Sequence, residues 1–226
     1  MTEKPYVCKY CNHGFLREST LMVHVCEKKR RALAQHEKHV MIAFDTFKKF
    51  FKTVQNSKEK TYEDFCNSQY YTAFVKFGSY VSNVKPLYPD HFIKYIITNS
   101  IKLDHWCHEE VYDKYVIELL KRENVETALQ RSISTMISWA DAHNTNWDKY
   151  FHDASLSRAA FDIKDGKISP WLVLNCQSGK SMLKKFDDQQ LNMINSAIDP
   201  QYWLLKFRRN PADLEIVTQL VKDANL

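Results

Sequence analysis

Six cysteines and nine histidines are available for chemistry, and three of the cysteines, Cys8, Cys11 and Cys26, crowd into the first 26 residues with His24 among them. Two cysteines separated by two residues form a knuckle that offers both sulfurs to one ion, and a tetrahedral Zn2+ takes four such soft or borderline ligands. Twelve residues beyond Cys11 the chain can return as a helix and present His24 as the third. The fourth ligand is harder to place. His24 and Cys26 are two apart, and on a regular helix such neighbours point about 200° apart. Cys26 therefore joins only if the helix ends or unwinds at Val25. A terminating turn meets that condition and a thiolate is the better zinc ligand, so the expected set is Cys8, Cys11, His24 and Cys26. His13, His36 and His39 are the competitors. On a helix unbroken from Ser19, His36 would lie roughly 18 Å from His24; His36 and His39 read better as solvent-facing residues of a charged helix. The apolar residues over the site, Tyr6, Phe15 and Leu21, are too few to fold this stretch alone, so metal binding must supply the missing free energy. A redox Cys-x-x-Cys would want a βαβ context, which the neighbouring sequence does not offer.

From Tyr6 through Cys8, Cys11, Phe15 and Leu21 to His24, the spacing resembles the Cys2His2 zinc finger position for position, and Thr2-Glu3-Lys4-Pro5 resembles that family's linker. The departure is His24-x-Cys26 where the family has a second histidine three to five residues on. The resemblance implies a ββα knob. It also implies that Arg17, Ser19, Thr20 and Val23 occupy the positions that reach base edges. Arg17 has the discriminating power, through a bidentate contact to guanine. One finger reads only about three base pairs, too few to select a site. The run Lys28-Lys29-Arg30-Arg31 then reads as a phosphate clamp, or as a basic helix end complementing the dipole. Single fingers also bind proteins. Taken in order, Tyr-Val-Cys-Lys-Tyr-Cys, Glu-Lys-Lys-Arg-Arg, Tyr-Thr-Ala-Phe-Val-Lys-Phe-Gly and Lys-Ile-Ser-Pro-Trp resemble finger proteins of large tailed bacteriophages, cyanobacterial ones included. That likeness implies residence in an infected host's cytoplasm and brings no activity with it.

The elements that would carry this constellation are mostly helical. The chain has 226 residues, 44% hydrophobic and 26% charged, which excludes disorder as its main state. Four glycines are too few for glycine-rich nucleotide-binding sheets or many β-sandwiches. The longest dense apolar stretch, Trp171 to Leu174, is far short of the roughly 20 residues a bilayer helix needs. The polar first 30 residues carry no signal-type apolar core, so a cytoplasmic protein is expected. The net charge of +5 is uneven: up to residue 60 there are 13 Lys and Arg against 6 Asp and Glu, and beyond it 19 against 21. A surplus so localised implies an acidic partner, most commonly nucleic acid.

The expected organisation is mainly α: a ββα zinc finger with its basic extension over 1–31, an amphipathic helix and linker over 32–60, and an all-α domain with one minor β-hairpin over 61–226. Val40, Phe44, Phe47 and Phe51 form one apolar face opposite Lys48, Lys49 and Lys52, after which Asn56, Ser57 and Lys58 to Lys60 read as a loop. Tyr112, Val116, Leu119 and Leu120 mark a second helix face, and Val125, Leu129, Ile133, Met136, Ile137 and Ala140 a third. Asn124 caps between them, which suggests a helical hairpin. Asp187 with Gln190 resembles a capping box, and Asp199-Pro200 and Asn210-Pro211 start two last helices. The β-hairpin is placed at 161–174, around Asp165-Gly166. Cys66, Cys107 and Cys176 read as small buried hydrophobes, and Tyr70, Tyr71, Phe74 and Phe77 as a core stripe.

Other chemistry in the body is weak. Ser178-Gly179-Lys180-Ser181 resembles the end of a phosphate-binding loop, but its first glycine falls at Leu174; a Ser-capped turn into a helix is the plainer reading. A calcium loop around Gly166 would need ligands at Phe161, Ile163 and Leu172. Asp104-His105-Trp106-Cys107-His108-Glu109-Glu110 is the densest remaining set, and Glu109 and Glu110 also suit the first turn of a helix. Lys206, Arg208 and Arg209 could extend a nucleic-acid surface. The expected function is a zinc-dependent nucleic-acid-binding accessory or regulatory protein, contacting DNA with RNA as the other nucleic acid open to it, whose helical body docks a protein partner. The competing readings are an assembly adaptor whose finger grips protein, and a nucleic-acid enzyme using the Asp104–Glu110 cluster. No small-molecule substrate is evident.

Overall fold

The structure, a computed structural model, describes residues 4–56 and 58–226. Thr2 and Glu3 of the linker-like stretch, and Ser57 of the expected loop, lie outside the described residues. The chain divides into two compact units at the His108–Glu109 junction.

The first unit opens with a two-stranded antiparallel ladder, β1 (Tyr6–Val7) and β2 (Gly14–Phe15), in which Tyr6 faces Phe15 and Val7 faces Gly14. Two short helices follow, α1 (Glu18–Val23) and α2 (Glu27–Leu33), then a 3-10 turn at Ala34–His36. The helical part comprises α3 (Lys38–Gln55), α4 (Tyr62–Asn67), α5 (Tyr71–Val84) and α6 (Pro89–Thr98). The apolar face expected on α3 is there, with Val40 and Phe47 buried and Phe44 and Phe51 half-buried. It packs along α5, where Gly78 permits the approach: a Cβ at that position would sit 2.0 Å from the His39 carbonyl oxygen and 3.1 Å from the Ala43 Cβ. Tyr71, Phe74 and Phe77 of the aromatic stripe are core, whereas Tyr70 is exposed.

Trp106, at the centre of the Asp104–Glu110 stretch, is fully buried with its ring 5.4 Å from Phe74 and 5.1 Å from Phe77. Its Nε1 donates to the Ile101 carbonyl over 2.8 Å. Core packing thus fixes the middle of that stretch. Its residues are divided between the two units, with Glu109 and Glu110 opening the next helix as the dipole argument expects.

The second unit runs through α7 (Glu109–Arg122), α8 (Val125–His143), α9 (Tyr150–Asp153), α10 (Leu156–Lys164) and α11 (Pro170–Val173). It ends with α12 (Gln177–Leu183), α13 (Asp188–Ile194), α14 (Pro200–Arg209) and α15 (Pro211–Asp223). Asn124 caps α8 by accepting from the Thr127 amide at 2.8 Å, and Asp187 with Gln190 forms the expected capping box. α8 lies against α9, α11 and α15 and not along α7, so the two helices do not make the side-by-side hairpin their patterns suggest. At the joint, buried Arg131 pairs with Glu123 and donates from Nε to the Gly166 carbonyl at 2.6 Å.

The β-hairpin expected at 161–174 does not form. Its first arm lies in α10, where Ala159, Ala160 and Ile163 are buried at helical spacing. Gly166, at φ 74°, ends that helix, and its amide bonds back to the Ile163 carbonyl over 3.0 Å. An Asp-Gly pair serves a left-handed helix stop as readily as a hairpin turn, and here the helical pattern before it decides. Ser169 then caps α11, with Pro170 in its first turn. Among the described residues, β1 and β2 are the only strands, so the minor hairpin of this mainly α chain is the N-terminal one.

The Ser178–Ser181 stretch lies on α12, capped by the Cys176 sulfur and not by a serine. A Cβ on Gly179 would come 2.7 Å from the Val173 carbonyl oxygen, so this glycine answers close packing and not a phosphate. Cys66 and Cys176 are buried as expected, while Cys107 is only half-buried. Among the described residues no helix is long and apolar enough to cross a membrane.

Candidate metal centre

The turn between β1 and β2 builds the first half of the site. The Cys8 amide donates to the His13 carbonyl over 2.9 Å, the Asn12 amide returns to the Cys8 carbonyl over 2.8 Å, and Asn12 takes the left-handed φ of 57°. Asparagine tolerates that conformation better than most residues. The knuckle so closed carries Cys8, which is buried, and Cys11, which is half-buried.

The second half answers the geometric problem at Val25. α1 stops at Val23, and His24 turns to extended backbone at φ −66°, ψ 121°. Cys26 is extended as well and opens α2. The helix therefore ends where it must for His24 and Cys26 to face one point. Cys11 Sγ lies 3.4 Å from His24 Nε2 and Cys8 Sγ 4.0 Å from Cys26 Sγ, and all four ligand atoms lie within 4.8 Å of one another. A tetrahedral ion with bonds of about 2.3 Å to sulfur and about 2.0 Å to nitrogen separates its ligands by about 3.5 to 3.8 Å. The four residues come close to that spacing, and all the cysteines are free thiols. Cys8, Cys11, His24 and Cys26 could hold a metal ion. Among the described residues no other set of three or more His, Cys, Asp or Glu side chains does so, neither the Asp104–Glu110 stretch nor one containing His13, His36 or His39.

Local electrostatics favour an ion at this point. Backbone amides of Cys11 and Tyr10 hold the Cys8 thiol below its ordinary pKa. The His13 amide pulls the Cys11 thiol down too, but desolvation and the neighbouring thiols of Cys8 and Cys26 outweigh it and leave that pKa raised. Three thiolates at this separation repel one another unless a cation lies between them. The apolar support is thin: Phe15 packs on the His24 ring at 4.8 Å, and Tyr6, Phe15 and Leu21 are all half-buried.

Around this centre the structure sorts the basic and base-reading candidates. Arg17, Ser19, Thr20 and Val23 are all exposed. Lys28 and Arg30 are exposed too, but Lys29 Nζ donates to the His24 carbonyl over 3.1 Å. Arg31 reaches into the helical part: Nη1 donates to the Cys66 carbonyl at 2.8 Å, the guanidinium lies 4.4 Å from the Tyr71 ring centroid, and Glu27 pairs with it. The Glu27 pair is a local i, i+4 contact, but no local pattern announces the other two, whose partners Cys66 and Tyr71 stand 35 and 40 positions away. The role of Cys26 was equally hidden: its sulfur accepts from the Lys29 amide at 3.4 Å and so caps α2 while belonging to the metal cluster. Cysteine is not a customary cap, so the sequence gives no such signal.

In the second unit, Lys206 has its pKa lowered by burial and bonds to the Lys121 carbonyl, while Arg208 and Arg209 are exposed. No family model matches the chain, and no curated protein or solved structure is significantly similar to it.

Proposed function

We propose that the four-residue cluster is a zinc site and that the protein is a zinc-dependent nucleic-acid-binding accessory or regulatory factor. Three thiolates with one imidazole are borderline-soft ligands of the kind that closed, structural zinc sites use. The observation that carries the nucleic-acid reading is the free face around that site. Arg17, Ser19, Thr20 and Val23 are exposed together on and beside α1, and Lys28 and Arg30 follow on α2 with their charges turned to solvent. A basic, side-chain-rich surface held rigid by a metal is what phosphate positioning and base contact require. The helical units then serve to dock a protein partner, which fits a reader too small to select a site alone. The likeness to phage finger proteins agrees with an infected bacterial cytoplasm as its place of work.

Zinc-loaded protein should bind a labelled oligonucleotide with an affinity that falls steeply between about 50 and 200 mM salt. Lys28→Gln with Arg30→Gln should flatten that dependence. Arg17→Ala should instead reduce discrimination at one base, by about 1–3 kcal/mol. Binding that ignores salt and both substitutions would overturn the reading.

One observation favours a finger that grips protein. Met22, Val23 and Val25 are 74%, 77% and 62% exposed, and Leu16 is 60% exposed, an unusual load of solvent-facing apolar side chains for so small a knob. A pulldown with and without nuclease separates the two readings. A partner retained after nuclease and lost with Met22→Ser supports protein docking; one lost with the nucleic acid supports the first.

A further inference from the structure

The first unit holds a second basic feature, outside the metal centre and its basic run. Around the C-terminal end of α3 is a pocket of about 370 Å³ lined by Lys48, Lys49, Lys52, Lys58 and Lys60 together with Asp45 and Glu59. Two chain segments make it. α3 supplies the first three lysines from adjacent and i, i+4 positions, and Asn56, in the left-handed conformation at φ 44°, ends the helix before Lys58 and Lys60 reach the same hollow.

Helix termination alone does not explain so many cations. A helix C-terminus carries roughly half a negative charge, which one lysine in the last turn offsets, whereas five lysines against Asp45, Glu59 and the Asp90 paired with Lys49 leave a formal excess of two. Two of the five are engaged in ion pairs. Lys49 lies 2.6 Å from both Asp45 and Asp90, and Lys48 lies 3.8 Å from Asp45. Lys60 stands over the Phe51 ring at 5.3 Å. Lys52 and Lys58 are exposed and make no ion pair or hydrogen bond among the described residues. Like charges converging on one concavity repel, and an anion bound between them removes that repulsion.

We infer that this pocket binds a phosphate group, and, resting on the nucleic-acid reading above, that the phosphate belongs to a nucleic-acid backbone. Lys52 and Lys58 make the direct contacts, while Lys48, Lys49 and Lys60 are held by their protein partners and set the local potential. Nucleic acid engaged by the knob would thereby gain a second anchor, which extends a footprint too short by itself.

The test uses the full-length zinc-loaded chain at about 50 mM salt. It compares Lys52→Gln/Lys58→Gln with a charge-matched control, Lys94→Gln/Lys102→Gln, whose lysines are also exposed and lie outside the pocket. The two probes are inorganic tripolyphosphate and a short fluorescein-labelled oligonucleotide. The pocket variant is expected to weaken oligonucleotide binding by about tenfold and to reduce the salt slope by roughly 2, with the control close to the parent protein. Should tripolyphosphate alone be weakened, while the parent protein binds no oligonucleotide, the phosphate site stands and both its backbone assignment and the nucleic-acid reading fall. If the oligonucleotide binds and responds to Lys28→Gln/Arg30→Gln but neither probe distinguishes the pocket variant from the control, the pocket proposal is overturned and the nucleic-acid reading survives.

Discussion

The N-terminal knob and the second unit represent opposite ways of holding a chain together. Between Tyr6 and Cys26 only Cys8 is buried among the described side chains, and the apolar residues above the ligands stay half-exposed. The second unit buries Trp171, Trp203, Tyr150 and Met136 almost completely and encloses an ion pair besides. A fully buried large side chain stabilises by about 1.5–3 kcal/mol, so a unit with many of them holds its shape without a ligand. The knob has no such reserve. Its few half-buried apolar residues are too little to secure it by packing, whereas the second unit's core suffices.

Chelation should therefore have the largest and most lopsided effect. Removing the metal, or replacing Cys11 with Ser, is expected to collapse the amide dispersion of residues 5–26 while the resonances of the second unit hardly move. Elemental analysis should find one zinc per chain beforehand. Equal loss in both regions would erase the contrast.

The converse break lies at Arg131 and Glu123, whose side chains are only 9% and 4% exposed. Arg131→Met leaves a carboxylate buried without its partner, at a cost of about 3–5 kcal/mol. Chemical denaturation should show that loss while zinc affinity stays unchanged. Smaller, and confined to the first unit, is Gly78→Ala. The new methyl would meet the His39 carbonyl at 2.0 Å and force α3 from α5, a cost of about 2–3 kcal/mol in a thermal melt.

The smallest expected effect concerns pH. Hydrogen bonding and charge from Lys49 hold the Asp90 carboxyl below its ordinary pKa. A depressed carboxyl contributes stability above its unfolded value of about 3.9, and that contribution is lost as pH falls through the lower folded value. Because Asp90 is largely exposed, solvent screening keeps the loss to a few tenths of a kcal/mol. Lys49→Met should remove it from the acid limb of a stability profile.

How much was legible in the sequence follows the same contrast. The ligand set could be read because coordination imposes spacing on residue types, and the need for a break at Val25 followed from helical geometry before the break was seen. Helix starts at Asn124, Asp187, Pro200 and Pro211 were equally plain, since caps are local. Misread segments were those where one local signal serves two ends. Asp165-Gly166 closes α10 instead of turning a hairpin, and the faces expected on α7 and α8 meet other partners, with Ile137 of the α8 face left exposed to solvent. Least legible were the contacts of Arg31 and the burial of Trp106, both of which depend on residues distant in the chain.

Cys26 joins two events that are usually separate. The same sulfur faces the metal cluster and accepts from the first turn of α2, and the far end of that short helix carries Arg31, seated on Tyr71 and the Cys66 carbonyl. α2 is thus a strut with one foot on the candidate ligand cluster and the other on the aromatic interior of the first unit. If the cluster holds a metal, emptying it would slacken that strut at its root, so occupancy would govern how firmly the knob is mounted as well as whether it is folded.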